Sequence, residues 1–205
     1  MKFLKGSAIT VLLMTIPLYA CTANKETAAE HVHLKGDEVA FYERLEGKAP
    51  LFTLINQDGG LTSLSDLRGK VVVMTFIFTS CKYACPILET KLKAVQNEFK
   101  EKMGKGLALI SITIDAEGDT PEVLKEHARM MDADPSGWIF LTGARPDIDR
   151  VLESYNIRYI KEQSTYSHTN KTIIIDSMGN LAYEIDGLHY PKEVLIERVK
   201  TLLGG

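Results

Sequence analysis

The hydrophobic positions of the chain change period several times, and each change predicts an element. Residues 71–78 (VVVMTFIF) form an unbroken β-branched and aromatic run. A strand without polar alternation is buried on both faces, as in a sheet covered by helices. Residues 107–115 repeat the pattern and predict a second such strand. Between them, over 86–103, Leu88, Leu92, Val95 and Phe99 recur at the spacing of one helix face. Upstream, 51–55 alternates weakly, Asn56-Gln57-Asp58-Gly59-Gly60 signals a tight turn, and 61–64 completes a hairpin. Thr120 and Pro121 supply a helix cap and a first-turn proline. A short strand over 138–141 precedes a helix over 146–155, with Ile148, Val151, Leu152 and Tyr155 inward. Strands over 171–175 and 181–185 flank the turn Asp176-Ser177-Met178-Gly179-Asn180, and 191–203 reads as the last helix.

The predicted order is hairpin, β-α-β-α-β-α, β-hairpin, α. Strands alternating with helices around a central apolar strand give an α/β fold: a central mixed sheet flanked by helices, with an N-terminal β-hairpin extension. The order is similar to that of thioredoxin-type domains. With 205 residues and 45% hydrophobic content, the chain fits one such domain, placed at 48–205. Net charge is -3, from 24 basic and 27 acidic residues, and no basic stripe stands out. That excludes nucleic acid as an expected partner, since phosphate binding needs clustered Lys and Arg.

The first residues carry an address. Lys2 and Lys5 precede an apolar run over 8–18. A membrane span needs about 20 apolar residues, so this shorter run suits a secretory signal. It ends Leu18-Tyr19-Ala20-Cys21, which resembles a bacterial lipobox, where the cysteine is acylated and becomes the mature N-terminus. The expectation is a lipoprotein signal peptide over 1–20, a lipid on Cys21, and a domain anchored in the bacterial cell envelope outside the cytoplasm. An ordinary signal peptide cut nearby, with Cys21 incidental, is the alternative. Residues 21–47 are polar and charged and read as a tether and N-terminal segment. His31 and His33 within it form an H-x-H pair able to take Cu(II) weakly, although exposed linker histidines are common.

If Cys21 carries lipid, Cys81 and Cys85 remain as a pair, in FTSCKYACP from Phe78. They lie where a buried strand gives way to a helix. Pro86 fits the first helical position, which puts Cys85 at the cap or close to it, where unpaired N–H groups and the helix dipole favour thiolate. Two thiolates at one turn can close into a disulfide or clamp a soft metal: Cu(I), Zn or an iron–sulfur cluster rather than Mg or Ca. A purely structural disulfide over so short a loop would stabilise little. His168, in Tyr166-Ser167-His168-Thr169 just before the strand over 171–175, is the best placed third ligand. In a thioredoxin-like layout that loop approaches the cysteines, and two sulfurs with one imidazole suit Cu(I), or Cu(II) with a weak further ligand. His127 falls among Val123, Leu124 and Met131 and reads as a satisfied core histidine; His189 reads as a loop residue, and Met130 and Met131 as packing residues.

With these residues in view, the chain resembles the Sco/SenC family, copper proteins that serve assembly of the copper A centre of cytochrome c oxidase. The resemblance is carried by Phe52 to Leu54, SLSDLRGKVVV from Ser63, FTSCKYACP, ITIDAEGDTPEVL from Ile112, WIFLTG from Trp138 and SHTNKTIIID from Ser167. It implies Cys81, Cys85 and His168 as metal ligands and Asp115 as an acidic residue near the site. The chain departs from the family pattern at Ser167, usually Asp, at Ala116, commonly Pro, and at Lys82, which adds a cation between the cysteines. The implied function is delivery of copper, as Cu(I) or Cu(II), to a copper-accepting subunit of a cytochrome c oxidase. A thiol–disulfide reductant and, through the anchor, the membrane would be further partners. The alternative is a thiol–disulfide oxidoreductase acting on an apo-oxidase or a cytochrome, with Cys81 as nucleophile and Cys85 as resolving thiol, or the reverse. Peroxiredoxins share the fold, but their pattern needs Thr three and Pro seven residues before the reactive cysteine. Counting back gives Phe78 and Met74 from Cys81, and Lys82 and Phe78 from Cys85.

Overall fold

The two apolar runs lie side by side at the centre of a sheet. A computed structural model describes residues 30–33, 39–44, 47–163 and 165–204. Its strands are β1 (Glu30–His33), β2 (Val39–Arg44), β3 (Thr53–Asn56), β4 (Leu61–Ser63), β5 (Val71–Ile77), β6 (Leu107–Thr113), β7 (Trp138–Thr142), β8 (Tyr159–Glu162), β9 (Thr165–His168), β10 (Lys171–Ile175) and β11 (Leu181–Asp186). Its α-helices are α1 (Ala84–Glu98), α2 (Pro121–Met130), α3 (Arg145–Ser154) and α4 (Lys192–Leu203). Nine strands form one mixed sheet in the order β1-β2-β11-β10-β5-β6-β7-β3-β4. Strands β5 and β6 run parallel from Val71↔Leu107 to Ile77↔Thr113, and β7 continues parallel to β6. Strands β10 and β11 and the β3–β4 hairpin join antiparallel.

Every residue of β5, β6 and β10 is buried, as their unbroken apolar runs require. Helices flank the sheet: α1 and α4 pack on each other and on β5, and α2 packs on β7. Phe76, Trp138 and Phe140 are fully buried, each such side chain contributing about 1.5–3 kcal/mol. Thr120 caps α2 as expected, its hydroxyl accepting from the Val123 N–H.

Four details differ from the sequence reading. The helix expected over 86–103 starts earlier, at Ala84 with Tyr83 at the cap, so Cys85 lies close to the cap, inside the first turn. It also ends earlier, at Glu98, followed by a short 3-10 turn and Gly104 in the left-handed region at φ 70°. Strands β1 and β2 fall within the stretch read as tether, and β2 pairs with β11 through Tyr183↔Arg44, Glu184↔Glu43 and Ile185↔Tyr42. Finally, β8 and β9 form a hairpin outside the main sheet, where no strand was expected. Residues 1–20 and Cys21 lie outside the described residues, as do the side chains of His31 and His33. Among the described residues no helix is long and apolar enough to cross a membrane.

Candidate metal centre

Cys81 sits in a tight turn after β5, its N–H donating to the Phe78 carbonyl at 3.0 Å. Cys85 follows in the first turn of α1, and its N–H donates to the Cys81 Sγ at 3.4 Å. Both are free thiols; Cys81 is half-buried and Cys85 is 2% exposed. Burial pushes the Cys85 thiol well up, and its contact with the Cys81 side chain adds to the rise. The helix start therefore does not make Cys85 a thiolate by itself, contrary to the sequence expectation. Desolvation of a charged sulfur outweighs the helix dipole in the buried first turn.

His168 comes from the β8–β9 hairpin, where its backbone partner is Tyr159. Its Nδ1 lies 2.9 Å from the Thr169 carbonyl oxygen. A carbonyl has no proton to give, so Nδ1 carries the hydrogen and Nε2 carries a lone pair. That Nε2 is buried and has no hydrogen-bond partner among the described residues. Burial lowers the His168 pKa and favours neutral imidazole, partly opposed by the hydrogen bond to the Thr169 carbonyl. The ring stands edge-on to Phe78 with centroids 6.0 Å apart, and Phe78 also packs against Tyr166 at 5.4 Å. Cys81 and His168 line one cleft of about 600 Å³, together with Phe78, Tyr83, Tyr166 and Asn170. Cys85 lies behind Cys81. Among the described residues no three His, Cys, Asp or Glu side chains are gathered into a ready metal cage.

Asp115 takes part through Tyr166. The Tyr166 hydroxyl donates to Asp115 Oδ1 at 2.9 Å, and the Gly118 N–H donates to the same oxygen at 3.1 Å. Asp115 thus holds the strand that carries His168 and also pairs with its own loop. A second polar cluster secures the hairpin. The Arg145 guanidinium donates to both Glu117 oxygens and to the Ile114 carbonyl, and Tyr159 donates to Asp149 at 2.9 Å. The Arg145 guanidinium beside Glu117 holds that carboxyl down at about 2. His127 is the satisfied core histidine expected, its Nε2 lying 2.7 Å from Glu89 Oε1. Sequence reasoning missed Tyr166, Thr169 and Asn170 as parts of the site. The alternation of Tyr166 and His168 along one strand face was the only available signal.

Two thiols at a strand-to-helix turn, one of them sharing a cleft with a buried imidazole, define the chain as a thioredoxin-fold protein with a Cys-x-x-x-Cys pair and a distal histidine. The chain belongs to the SCO1/SenC family, whose model matches residues 43–204. A SCO1/SenC family lipoprotein from Bacillus anthracis is 29% identical, with a TM-score of 0.70, covering 78% of this chain and 96% of that one. Arabidopsis thaliana ScoI, solved with copper bound, is 26% identical at TM-score 0.68, covering 77% and 99%. BsSco, described as having a disulfide switch and as a member of the Sco family of cytochrome c oxidase assembly proteins, is 28% identical at TM-score 0.66, covering 78% and 96%.

Proposed function

We propose that this chain binds copper through Cys81, Cys85 and His168 and delivers it, outside the cytoplasm, to the copper A centre of a cytochrome c oxidase. The observation that carries the reading is the His168 imidazole. One nitrogen is fixed by a backbone carbonyl, and the other is buried without a partner in the cleft that Cys81 lines. A ligating histidine is held in this way, its second nitrogen oriented by a hydrogen bond. Two sulfurs and a neutral imidazole suit a soft cation. Copper in ScoI and the oxidase-assembly role of the Sco family agree with the reading, and the B. anthracis lipoprotein agrees with a lipid anchor at Cys21.

The protein's own groups have distinct parts. Cys81, the more exposed sulfur, meets incoming copper first. Cys85 gives up its proton as it ligates, because only thiolate binds the metal. Phe78 and Tyr166 wall the imidazole off from water. Oxidation of the pair to a disulfide removes both sulfur ligands, and an external thiol–disulfide reductant restores them. The half-buried Cys81 in front of a buried Cys85 also favours a second reading, a thiol–disulfide oxidoreductase in which Cys81 attacks and Cys85 resolves.

Titration of the reduced protein with Cu(I) and Cu(II) tests the first reading. One-to-one binding is expected, with a sulfur-to-copper charge-transfer band that weakens in His168→Ala and disappears in Cys81→Ser. Binding as tight in Cys81→Ser as in the wild type rejects the copper site. Rapid equilibration with glutathione together with poor copper binding moves the assignment to the oxidoreductase.

A further inference from the structure

Asp119 lies in the loop between β6 and α2 and is 2% exposed. Its carboxylate accepts from the Thr79 N–H at 3.1 Å, from the Thr79 hydroxyl, and from the Thr113 hydroxyl. A buried carboxylate is tolerated where such donors surround it. Thr79 is no ordinary donor. It falls inside the turn closed by the Cys81 N–H and the Phe78 carbonyl, so Asp119 grips the backbone that aims Cys81.

The same short loop grips the other half of the site. The Asp119 N–H donates to the Asp115 carbonyl at 2.9 Å, and the Asp115 N–H donates to Thr113 Oγ1 at 2.9 Å. The Asp115 side chain receives the Tyr166 hydroxyl, two residues before His168. One end of the loop therefore holds the sulfur turn and the other holds the imidazole strand. Strand β9 pairs with β8 outside the main sheet, and His168 joins β10, which pairs with β5, only through residues 169 and 170.

We propose that Asp119 is a positioning residue, which sets the Cys81 turn relative to the His168 strand and so tunes the metal and redox properties of a site it does not touch. This rests on the copper reading for its metal half only. In Asp119→Asn the charge is lost and an amide donor replaces one acceptor oxygen, so the charge-assisted bonds to Thr79 become weaker neutral ones. Thr79→Val removes the hydroxyl alone and keeps the Asp119 charge, which separates positioning from electrostatics. Thr79→Ser keeps the hydroxyl. Ser111→Ala serves as a stability control: it removes the partner of the buried Trp138 Nε1–H, which donates to Ser111 at 3.1 Å.

The experiment uses the full chain in detergent and reads three quantities: Cu(I) affinity by competition with a chromophoric chelator, the metal-free equilibrium of the Cys81–Cys85 pair with glutathione, and the melting temperature. Asp119→Asn is expected to weaken Cu(I) binding about 10-fold or more, the usual effect of losing a group that orients ligands. The glutathione equilibrium constant is expected to move about tenfold, which is about 30 mV for this two-electron couple. Thr79→Val should move both constants in the same direction by less, Thr79→Ser should match the wild type, and Ser111→Ala should lower only the melting temperature. If Asp119→Asn and Thr79→Val lower the melting temperature yet leave both constants within twofold, Asp119 is merely structural and the proposal is overturned. Should Asp119→Asn fail to fold, Thr79→Val decides. A wild type that binds no Cu(I) rejects the copper reading, and the glutathione constant, which needs no metal, still decides on Asp119.

Discussion

His127 and His168 are set up almost alike and end in opposite roles. Each imidazole stands edge-on to a phenylalanine: His127 to Phe140 at 5.7 Å and 77°, His168 to Phe78 at 6.0 Å and 74°. They differ in what Nε2 meets. For His127 it is the Glu89 carboxylate, itself 1% exposed; for His168 it is nothing. Burial pulls both pKa values down, but beside Glu89 the His127 value ends raised, whereas that of His168 ends lowered. One ring is an element of the scaffold, on a helix packed against the nine-stranded sheet. The other is the proposed copper ligand, on a hairpin outside it. A buried imidazole is thus structural or chemical according to the partner of its second nitrogen, not according to its depth.

The comparison assigns global stability to the His127 side, and the largest perturbation should show it. Phe140→Ala removes a fully buried ring between sheet and helix and is expected to cost about 3–5 kcal/mol in urea unfolding. If Phe78→Ala, beside His168, costs as much while Phe140→Ala costs little, the assignment is reversed.

Glu89→Ala makes His127 resemble His168 by stripping its partner. A loss of about 2 kcal/mol is expected, the scale of a hydrogen bond to a charged group. The His127 titration followed by NMR should then move from above the ordinary histidine value to below it, since burial remains and the carboxylate is gone. A His127 titration unchanged in Glu89→Ala contradicts the pairing.

The protonation-dependent part of that pair is smaller and has a definite sign. An unfolded histidine titrates near 6.5, and in the folded chain Glu89 and, more weakly, Asp119 raise the His127 value against the effect of burial. The folded state therefore binds the proton more tightly than the unfolded state. The stabilisation from His127⁺–Glu89⁻ is complete below about pH 6.5 and fades as pH rises through the folded pKa. Wild-type stability relative to His127→Gln should decline over that window, and a relative increase with pH would show that the imidazole is buried neutral.

Sequence patterning revealed the central sheet because its strands are buried on both faces and leave continuous apolar runs, as at 71–78. Cys81, Cys85 and His168 stood out in it as candidate ligands because sulfur and imidazole have few other uses at such positions. It did not reveal β8 and β9, whose exposed faces hold Lys161, Glu162, Thr165 and Ser167 and dilute any period. It also started the helix two residues late, because Pro86 fits the first helical position as well as it fits the observed one. Asp119 was invisible for a different reason. Its partners Thr79 and Thr113 lie 40 and 6 residues away, and only the parallel β5–β6 pairing brings both to one carboxylate.

The smallest effect on stability should come with a specific effect on the site. Tyr166→Phe removes one hydroxyl from Asp115, whose Oδ1 keeps the Gly118 N–H. The global cost should stay at about 1.5 kcal/mol, the low end for a hydrogen bond to a charged group. The hairpin is anchored by side chains rather than by the main sheet, so its amides should exchange with solvent faster while those of β5 and β6 do not change. Cu(I) affinity should fall a few-fold, because the strand that presents His168 becomes less ordered. Equal acceleration of exchange in β5 and in β9 would mean that hairpin and sheet unfold as one unit. The distinction between the two histidines would then reside in their partners alone, and not in the parts of the fold that carry them.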